Sequence, residues 1–259
     1  MRIFVVDSFT ETPFSGNPAG VVLLDAPASE AWMRSVAAEM KHAETAFVVL
    51  DGTEPKPLRW FTPTTEVDLC GHATLATAHA LGGDQRFSTR SGELTCTDAG
   101  DGWIGMDFPA NTPSPAEAPA DLAAALPGVT VEAVLTTSDD LLVRVATAAE
   151  VRELEPDLEL IGRWDRRGVI VTAEGDRDGV DFVSRFFAPA SGIPEDPVTG
   201  SAHCKLAPYW AAELGRESGA ELVGEQVSAR GGLVRATPRG ERVGLRGRAV
   251  TILEGDLRV

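Results

Sequence analysis

Two hydrophobic spacings alternate along this chain. Short runs of β-branched and aromatic residues predict strands, and runs with apolar residues three and four apart predict helices. The predicted strands are 3–6, 21–24, 46–50, 143–146, 168–172 and 180–187, with several more after Leu222. The predicted helices are 30–40, 71–82, 118–126 and 201–214. This order predicts an α+β or mixed α/β protein that is richer in strand than in helix.

A proline-rich segment separates two stretches with this organisation. Pro109–Pro119 holds four prolines in eleven residues, which cannot continue a helix or a central strand. We therefore predict two lobes, residues 1–112 and 113–259, each with strands around one apolar helix. The last strand is free to return to the N-terminal lobe.

Composition narrows the possible partners and the compartment. The 259 residues carry a net charge of −16 at pH 7, which repels a phosphate backbone and argues against nucleic acid as a partner. No apolar run reaches the ~18 residues of a membrane span, and an acidic residue stands at position 7. These features predict a cytoplasmic protein. The three cysteines have neither CxxC nor any other paired metal-ligand spacing.

The starts of two predicted helices resemble each other. Residues 61–73 and 187–202 each run from an aromatic-x-Pro sequence, through an acidic loop, to Gly-polar-Ala. The unpaired N–H groups and the macrodipole of a helix N-terminus favour a bound carboxylate or phosphate. Two such starts would suit a small anionic molecule. The alternative is that Gly71 and Gly200 only permit close packing, with His72 and Ser201 as caps.

Four sequence blocks carry a resemblance to a known family. They are residues 15–20 with Phe9, and residues 40–47, 60–74 and 195–204. In this order they resemble the signature blocks of the PhzF-like family of phenazine-biosynthesis-related isomerases. The resemblance implies a diaminopimelate epimerase-like fold of two pseudo-symmetric lobes, each a curled mixed sheet around a central helix. It also implies an active site in the interlobe cleft, no cofactor, and a homodimer.

The residue before each helix-start glycine limits the chemistry. Diaminopimelate epimerase, whose fold the family resembles, follows a racemase scheme with a cysteine at both positions. One thiolate removes a proton from the substrate carbon, and the other thiol returns a proton to the opposite face. Here Cys70 precedes Gly71, but Thr199 precedes Gly200. A threonine hydroxyl is far too weakly acidic to replace a thiol. Racemisation by two cysteines is therefore excluded, and Cys204 lies a full turn inside the helix.

The resemblance instead implies a single carboxylate base. It assigns catalytic roles to His72, Asp196 and Glu44, and Glu44 is the residue that moves the proton. It also implies a small carboxylated substrate. A carboxylate in a closed apolar pocket is a stronger base at neutral pH. Further matches predict substrate-binding residues, namely Gly71, Gly200 and Ser201, with Asn17 either a substrate contact or a plain turn residue.

Three functions stay open at this stage. The leading prediction is a cofactor-independent isomerase that shifts a proton within a small, possibly cyclic, carboxylated metabolite. The alternatives are a non-catalytic or moonlighting binding protein on the same fold, and an amino-acid epimerase that uses Glu44 with Cys70. No metal site is predicted. His72 and His79 share a helical face, but no third potential ligand follows at a sequence spacing typical of metal sites.

Overall fold

The computed structural model describes residues 1–258, which form two compact units. The first unit is Met1–Asp107 together with the chain from Arg246 onward, and the second is Phe108–Leu245. The proline-rich segment therefore lies at the start of the second unit. After the second unit, the chain returns to the first at Arg246.

Strands make up most of the regular structure. In chain order they are β1 (Arg2–Ser8), β2 (Asn17–Leu24), β3 (Glu44–Val49), β4 (Lys56–Phe61), β5 (Glu66–Val67), β6 (Gln85–Thr89), β7 (Gly92–Asp98), β8 (Ile104–Pro109), β9 (Ser114–Pro115), β10 (Val131–Thr136), β11 (Asp140–Val145), β12 (Gly168–Glu174), β13 (Phe182–Ala188), β14 (Ile193–Asp196), β15 (Leu222–Gln226), β16 (Gly232–Arg239), β17 (Arg242–Gly247) and β18 (Ala249–Asp256). The helices are α1 (Glu30–Met40), α2 (Gly71–Leu81), α3 (Leu122–Ala125), α4 (Ala148–Glu153), α5 (Leu158–Ile161) and α6 (Gly200–Glu213), with a 3₁₀ turn at Pro189–Ser191.

The first unit is a mixed sheet around α2. Strand β1 pairs antiparallel with both β18 and β2, β2 runs parallel to β3, and β3 pairs antiparallel with β4. Helix α2 packs against β1, β2, β3 and β18. Helix α1 contributes Met33, Val36 and Ala37 to a separate core cluster with apolar residues of β1 to β4.

Helix α2 is enclosed because its sequence is small and apolar on every side. The seven consecutive residues from His72 to Ala78 are all buried, which covers about two full turns. The two threonines in this stretch keep their hydroxyls paired within the helix. Thr74 donates to the Cys70 carbonyl at 2.6 Å, and Thr77 donates to the Ala73 carbonyl at 2.7 Å.

The second unit repeats this plan around α6. Its central strands β11 and β12 are parallel, while β12 and β13, and β10 and β11, are antiparallel. Alternate residues of a strand face opposite sides of a sheet. Accordingly Ile170 of β12 packs with Leu206 and Trp210 of α6, whereas Val169 and Val171 pack in the cluster that includes α3, α4 and α5.

This architecture confirms the predicted fold class, an α+β protein with a mixed sheet around a central helix in each unit. Predicted helices 30–40, 71–82 and 201–214 are confirmed as α1, α2 and α6. The predicted helix 118–126 is much shorter, Leu122–Ala125. It begins four residues later than predicted, and it ends one residue earlier because Pro127 disfavours helical geometry at Leu126. Among the described residues, no helix is both long and apolar enough to cross a bilayer.

Candidate active site

The first polar cluster lies at the N-terminus of α2. Strand β3 begins at Glu44, and Cys70 is the N-cap residue of α2. The His72 imidazole lies between their side chains. Its Nε2 is 3.4 Å from Glu44 Oε2, and its Nδ1 is 3.5 Å from Cys70 Sγ. We call these three residues the Glu44–Cys70–His72 cluster.

Burial controls the electrostatics of this cluster. The Glu44 side chain is only 12% exposed, and the His72 side chain 6%. Burial, with a smaller effect from nearby His42, lowers the pKa of His72 to about 3. His72 is therefore a neutral imidazole at neutral pH, with one N–H donor and one acceptor nitrogen.

The backbone around the cluster is fixed by the strands beneath it. Ser8, the last residue of β1, is fully buried and donates its hydroxyl to the His72 carbonyl at 2.8 Å. Ser8 is paired in register with Asn17, the first residue of β2. Ala19, two residues further along β2, is in register with Glu44 of the parallel strand β3. Neighbouring strands thus position the first turn of α2 and the side chain of Glu44.

The structure brings some of the predicted residues of this unit together. Glu44 and His72 face each other, although they are 28 positions apart in the sequence. Gly71 is the first helical residue of α2, between Cys70 and His72. Asn17 is fully buried at the start of β2. His79, considered with His72 as a metal-ligand pair, instead has its Nε2 3.1 Å from the Thr251 hydroxyl.

The second polar cluster lies at the N-terminus of α6. Asp196 ends β14, and Thr199 is the N-cap residue of α6. The Thr199 hydroxyl donates a 2.5 Å hydrogen bond to the Asp196 carboxylate. Gln226, at the end of β15, is fully buried and fixes this loop, because its Nε2 donates to the Asp196 carbonyl at 2.6 Å and its Oε1 accepts from the Thr199 N–H at 2.8 Å. Thr199 therefore positions a carboxylate at the place where the two-cysteine scheme requires a thiol.

Gly200 and Ser201 are the first two residues of α6, and Ser201 has a charged neighbour. Arg167 Nη2 lies 3.1 Å from Ser201 Oγ. Because arginine can only donate hydrogen bonds, Ser201 Oγ accepts here, and its own O–H is directed elsewhere as a donor. Two such donors at a helix N-terminus, the hydroxyl and the free N–H groups, suit a carboxylate.

A charge cluster with a buried centre, formed by Asp140 and Lys205, holds Arg167 in this position. Arg167 Nε donates to Asp140 Oδ1 at 2.9 Å, and its Nη2 contacts the other carboxylate oxygen. Asp140 is fully buried and also pairs with Lys205, which is 2% exposed. Lys205 lies one turn beyond Ser201 on α6 and contacts Asp139 at 2.9 Å as well. The two cations and two carboxylates balance in charge, which makes their burial tolerable.

Three residues in these clusters were not predicted from the sequence. Ser8, Arg167 and Gln226 belong to none of the quoted blocks, and each acts through a contact with a residue more than 25 positions away. Such contacts depend on strand register, which local sequence patterns do not specify.

His203, one turn inside α6, makes the stability of the fold depend on pH. It is fully buried, its Nδ1 lies 2.8 Å from the Thr199 carbonyl, and burial lowers its pKa to about 4. As pH falls from about 6.5 towards 4, the unfolded chain takes up a proton at this residue that the folded chain does not. We therefore expect His203 to remove about 1.4 kcal/mol of stability per pH unit across this range.

The substitution His203→Gln tests this expectation. Glutamine can still donate to a carbonyl but does not titrate, so the stability of the variant should fall less steeply below about pH 6.5 than that of the parent protein. Urea denaturation between about pH 7 and 4.5 measures both curves. Parallel curves would show that His203 titrates in the folded protein as it does in the unfolded chain.

Comparisons with known proteins place the fold. The sequence pattern of the family described as "Phenazine biosynthesis-like protein" matches residues 6–255. An uncharacterized isomerase of Pseudomonas aeruginosa is 47% identical over 261 residues, which cover 98% of this chain and 97% of the relative. The crystal structure of a PhzF-family phenazine biosynthesis protein from Enterococcus faecalis superposes with a TM-score of 0.93 at 38% identity, covering 100% of this chain and 99% of that one. A hydroxyproline epimerase from Agrobacterium vitis has a TM-score of 0.64 at 10% identity, over 98% and 91% of the two chains.

The likeness to hydroxyproline epimerase shows the fold alone, which is an epimerase-like fold. The chain belongs to the phenazine biosynthesis-like, or PhzF, family. The sequence-based resemblance to this family is thereby confirmed. Membership, together with relatives that are named as isomerases, supports an isomerase activity.

Proposed function

We propose that this protein is a cofactor-independent isomerase that moves a proton between two carbons of a small carboxylated metabolite. Glu44 is the single acid/base. The observation that supports this most strongly is the largely buried Glu44 carboxylate, which faces a neutral imidazole 3.4 Å away. The separation is somewhat longer than a usual N–H···O hydrogen bond, and catalytic hydrogen bonds often shorten when substrate binds.

One tautomer of His72 fits Glu44, rather than Cys70, as the base. Neutral His72 has one N–H, and its two nitrogens face different partners. If Nε2–H is directed at the ionised Glu44 carboxylate, Nδ1 is the acceptor, and the Cys70 S–H is the group that faces it. In this arrangement the ionised Glu44 carboxylate accepts a proton from carbon, and Cys70 keeps its own.

We assign the second cluster to substrate binding and orientation. Ser201 O–H and the N–H groups at the start of α6 suit a carboxylate, as do the N–H groups at Gly71. The Asp196 carboxylate, oriented by Thr199, suits an amino or hydroxyl group of the substrate. Asn17 is assigned to substrate contact because it is buried on β2, next to the strand that carries Glu44.

The experiment that tests this function is an NMR assay of proton shift. The resemblance suggests trans-2,3-dihydro-3-hydroxyanthranilate first, followed by a panel of allylic and cyclic carboxylic acids. We expect one of these acids to be converted to a double-bond isomer without added metal or cofactor. A protein that binds such acids but converts none of them would favour the binding-protein alternative.

A second candidate function is epimerisation of an amino acid by Glu44 together with Cys70. It is favoured by one observation, the Cys70 thiol 3.5 Å from the same imidazole that Glu44 faces. Incubating amino acids with the protein in D₂O distinguishes the two functions. Deuterium at an α-carbon with loss of optical activity would support epimerisation, and a shifted double bond would support the proposed isomerase.

Arg167 is expected to act on substrate affinity through Ser201. In Arg167→Lys the charge remains, but the fork that holds Asp140 and reaches Ser201 is lost. A hydrogen bond to a charged group contributes about 1.5–3 kcal/mol, so we expect KM for a carboxylate substrate to rise roughly 10- to 100-fold, with a smaller change in kcat.

The double variant Arg167→Lys/Ser201→Ala separates this role from a structural one. If Arg167 acts by orienting the Ser201 hydroxyl, adding Arg167→Lys to Ser201→Ala should change KM little further. Fully additive effects on KM would contradict the assignment.

A further inference from the structure

The Glu44–Cys70–His72 cluster combines three classes of metal ligand in one buried place. One ligand atom of each residue, a carboxylate oxygen, a thiol sulfur and an imidazole nitrogen, lies within 4.8 Å of the other two. We propose that this cluster is a binding site for Zn²⁺, and that the ion inhibits the enzyme by occupying its base.

The spacing of the donors suits zinc. Zinc bonds of about 2.3 Å to sulfur and about 2.0–2.2 Å to nitrogen and oxygen give tetrahedral ligand-to-ligand distances of about 3.4–3.6 Å. The Cys70 Sγ to His72 Nδ1 distance is 3.5 Å. Glu44 lies against the other ring nitrogen, so its carboxylate or the ring has to move for all three ligand atoms, which lie within 4.8 Å of one another, to meet one ion.

Charge and protonation also favour the ion. An imidazole binds a metal ion in its neutral form. Zn²⁺ displaces the proton of the Cys70 thiol, and the resulting thiolate and the Glu44 carboxylate together balance the two charges of the ion. A buried site with no net charge carries the smallest desolvation penalty. The N-terminus of α2 further favours the thiolate at its N-cap.

The ligand types select the metal. A thiolate and an imidazole favour zinc over magnesium or calcium, which prefer oxygen ligands. Three protein ligands leave a fourth position open for water. Inhibition by the ion rests on the proposed function, because the ion inhibits by blocking Glu44. Binding of the ion is independent of the proposed function.

Cobalt reports on the site directly, because Co²⁺ takes the place of Zn²⁺ and its bond to a thiolate absorbs in the near ultraviolet. Titrating the full-length protein with Co²⁺ should give this absorption with an endpoint of one ion per chain, and added Zn²⁺ should abolish it. Cys70→Ser should remove the band. Cys96→Ser is the matched control, since Cys96 is equally buried in β7 of the same unit and should leave the titration unchanged.

A second variant covers the case in which Cys70→Ser does not fold. Glu44→Gln should retain the thiolate–cobalt band but weaken Co²⁺ binding by at least about 10-fold. Loss of a residue that only hydrogen-bonds to a metal ligand already lowers metal affinity by about this factor. A protein without a thiolate–cobalt band, or one whose band survives Cys70→Ser, would overturn the proposal. If cobalt binds as described but no acid is isomerised, the metal site stands and the proposed function fails.

Discussion

Glu44→Gln is expected to reduce kcat by about 10² to 10⁴, the usual contribution of a positioned acid/base, while substrate binding is retained. Glutamine keeps the size of the side chain and can still contact His72, but it cannot exchange a proton with carbon. The loss should therefore appear in kcat rather than in KM. Steady-state kinetics on the turned-over acid and ligand titration of the variant measure the two quantities separately.

Two other substitutions define what this result means. Glu39→Gln, on the exposed side of α1, repeats the same chemical change outside the cluster and should leave kcat unchanged. Cys70→Ser should reduce kcat much less than Glu44→Gln. If Glu44→Gln remains active while Cys70→Ser is inactive, the thiol is the base and the assignment of Glu44 is wrong.

Asp140→Asn is expected to destabilise the second unit by about 3–5 kcal/mol, the usual cost of breaking a buried ion pair. Asp140 is fully buried, and its carboxylate accepts from both Arg167 and Lys205. A neutral amide leaves these two cations with Asp139 as their remaining carboxylate. Urea denaturation followed by far-ultraviolet circular dichroism measures this loss of stability.

Asp139→Asn is the matched control for this prediction. Asp139 contacts the same two cations, but its side chain is 37% exposed, so water can replace much of what the carboxylate provides. Its loss of stability should be clearly smaller than that of Asp140→Asn. Equal losses from the two substitutions would show that burial of Asp140 is not what determines the cost.

The fold was predictable from the sequence where the pattern of apolar residues was long and regular. Helix α1 has the predicted bounds, α2 ends one residue earlier than predicted, and α6 begins and ends one residue earlier than predicted. Prediction was poorer at 118–126, where the helix has only four residues and Pro127 explains its C-terminal end alone. It was also poorer at strand ends. Strand β3 begins at Glu44, two residues earlier than the apolar run indicated, because pairing with β2 extends it.

The candidate site was only partly predictable, for a physical reason. Motif blocks pointed to Glu44, His72 and Asp196, since the chemistry of these residues is visible in the sequence. Their partners are set by tertiary structure. Three of these contacts depend on how the strands align. They are the contact of Cys70 with the His72 imidazole, the hydrogen bond from Gln226 to the Asp196 carbonyl, and the hydrogen bond from Arg167 to Ser201. The spacing of potential metal ligands along the sequence also did not point to Glu44, because it lies on β3 and approaches Cys70 and His72 of α2 only in the folded chain.

Hydrogen transfer within the substrate tests the central claim, a single base, most directly. The substrate is labelled with deuterium at the carbon that loses its proton, and the product formed in ordinary water is analysed by NMR and mass spectrometry. Because one largely buried carboxylate removes and returns the hydrogen, we predict that a measurable share of the label appears at the accepting carbon, on the same face. A product without transferred label, and with its new hydrogen on the opposite face, would require two separate groups and would contradict the account.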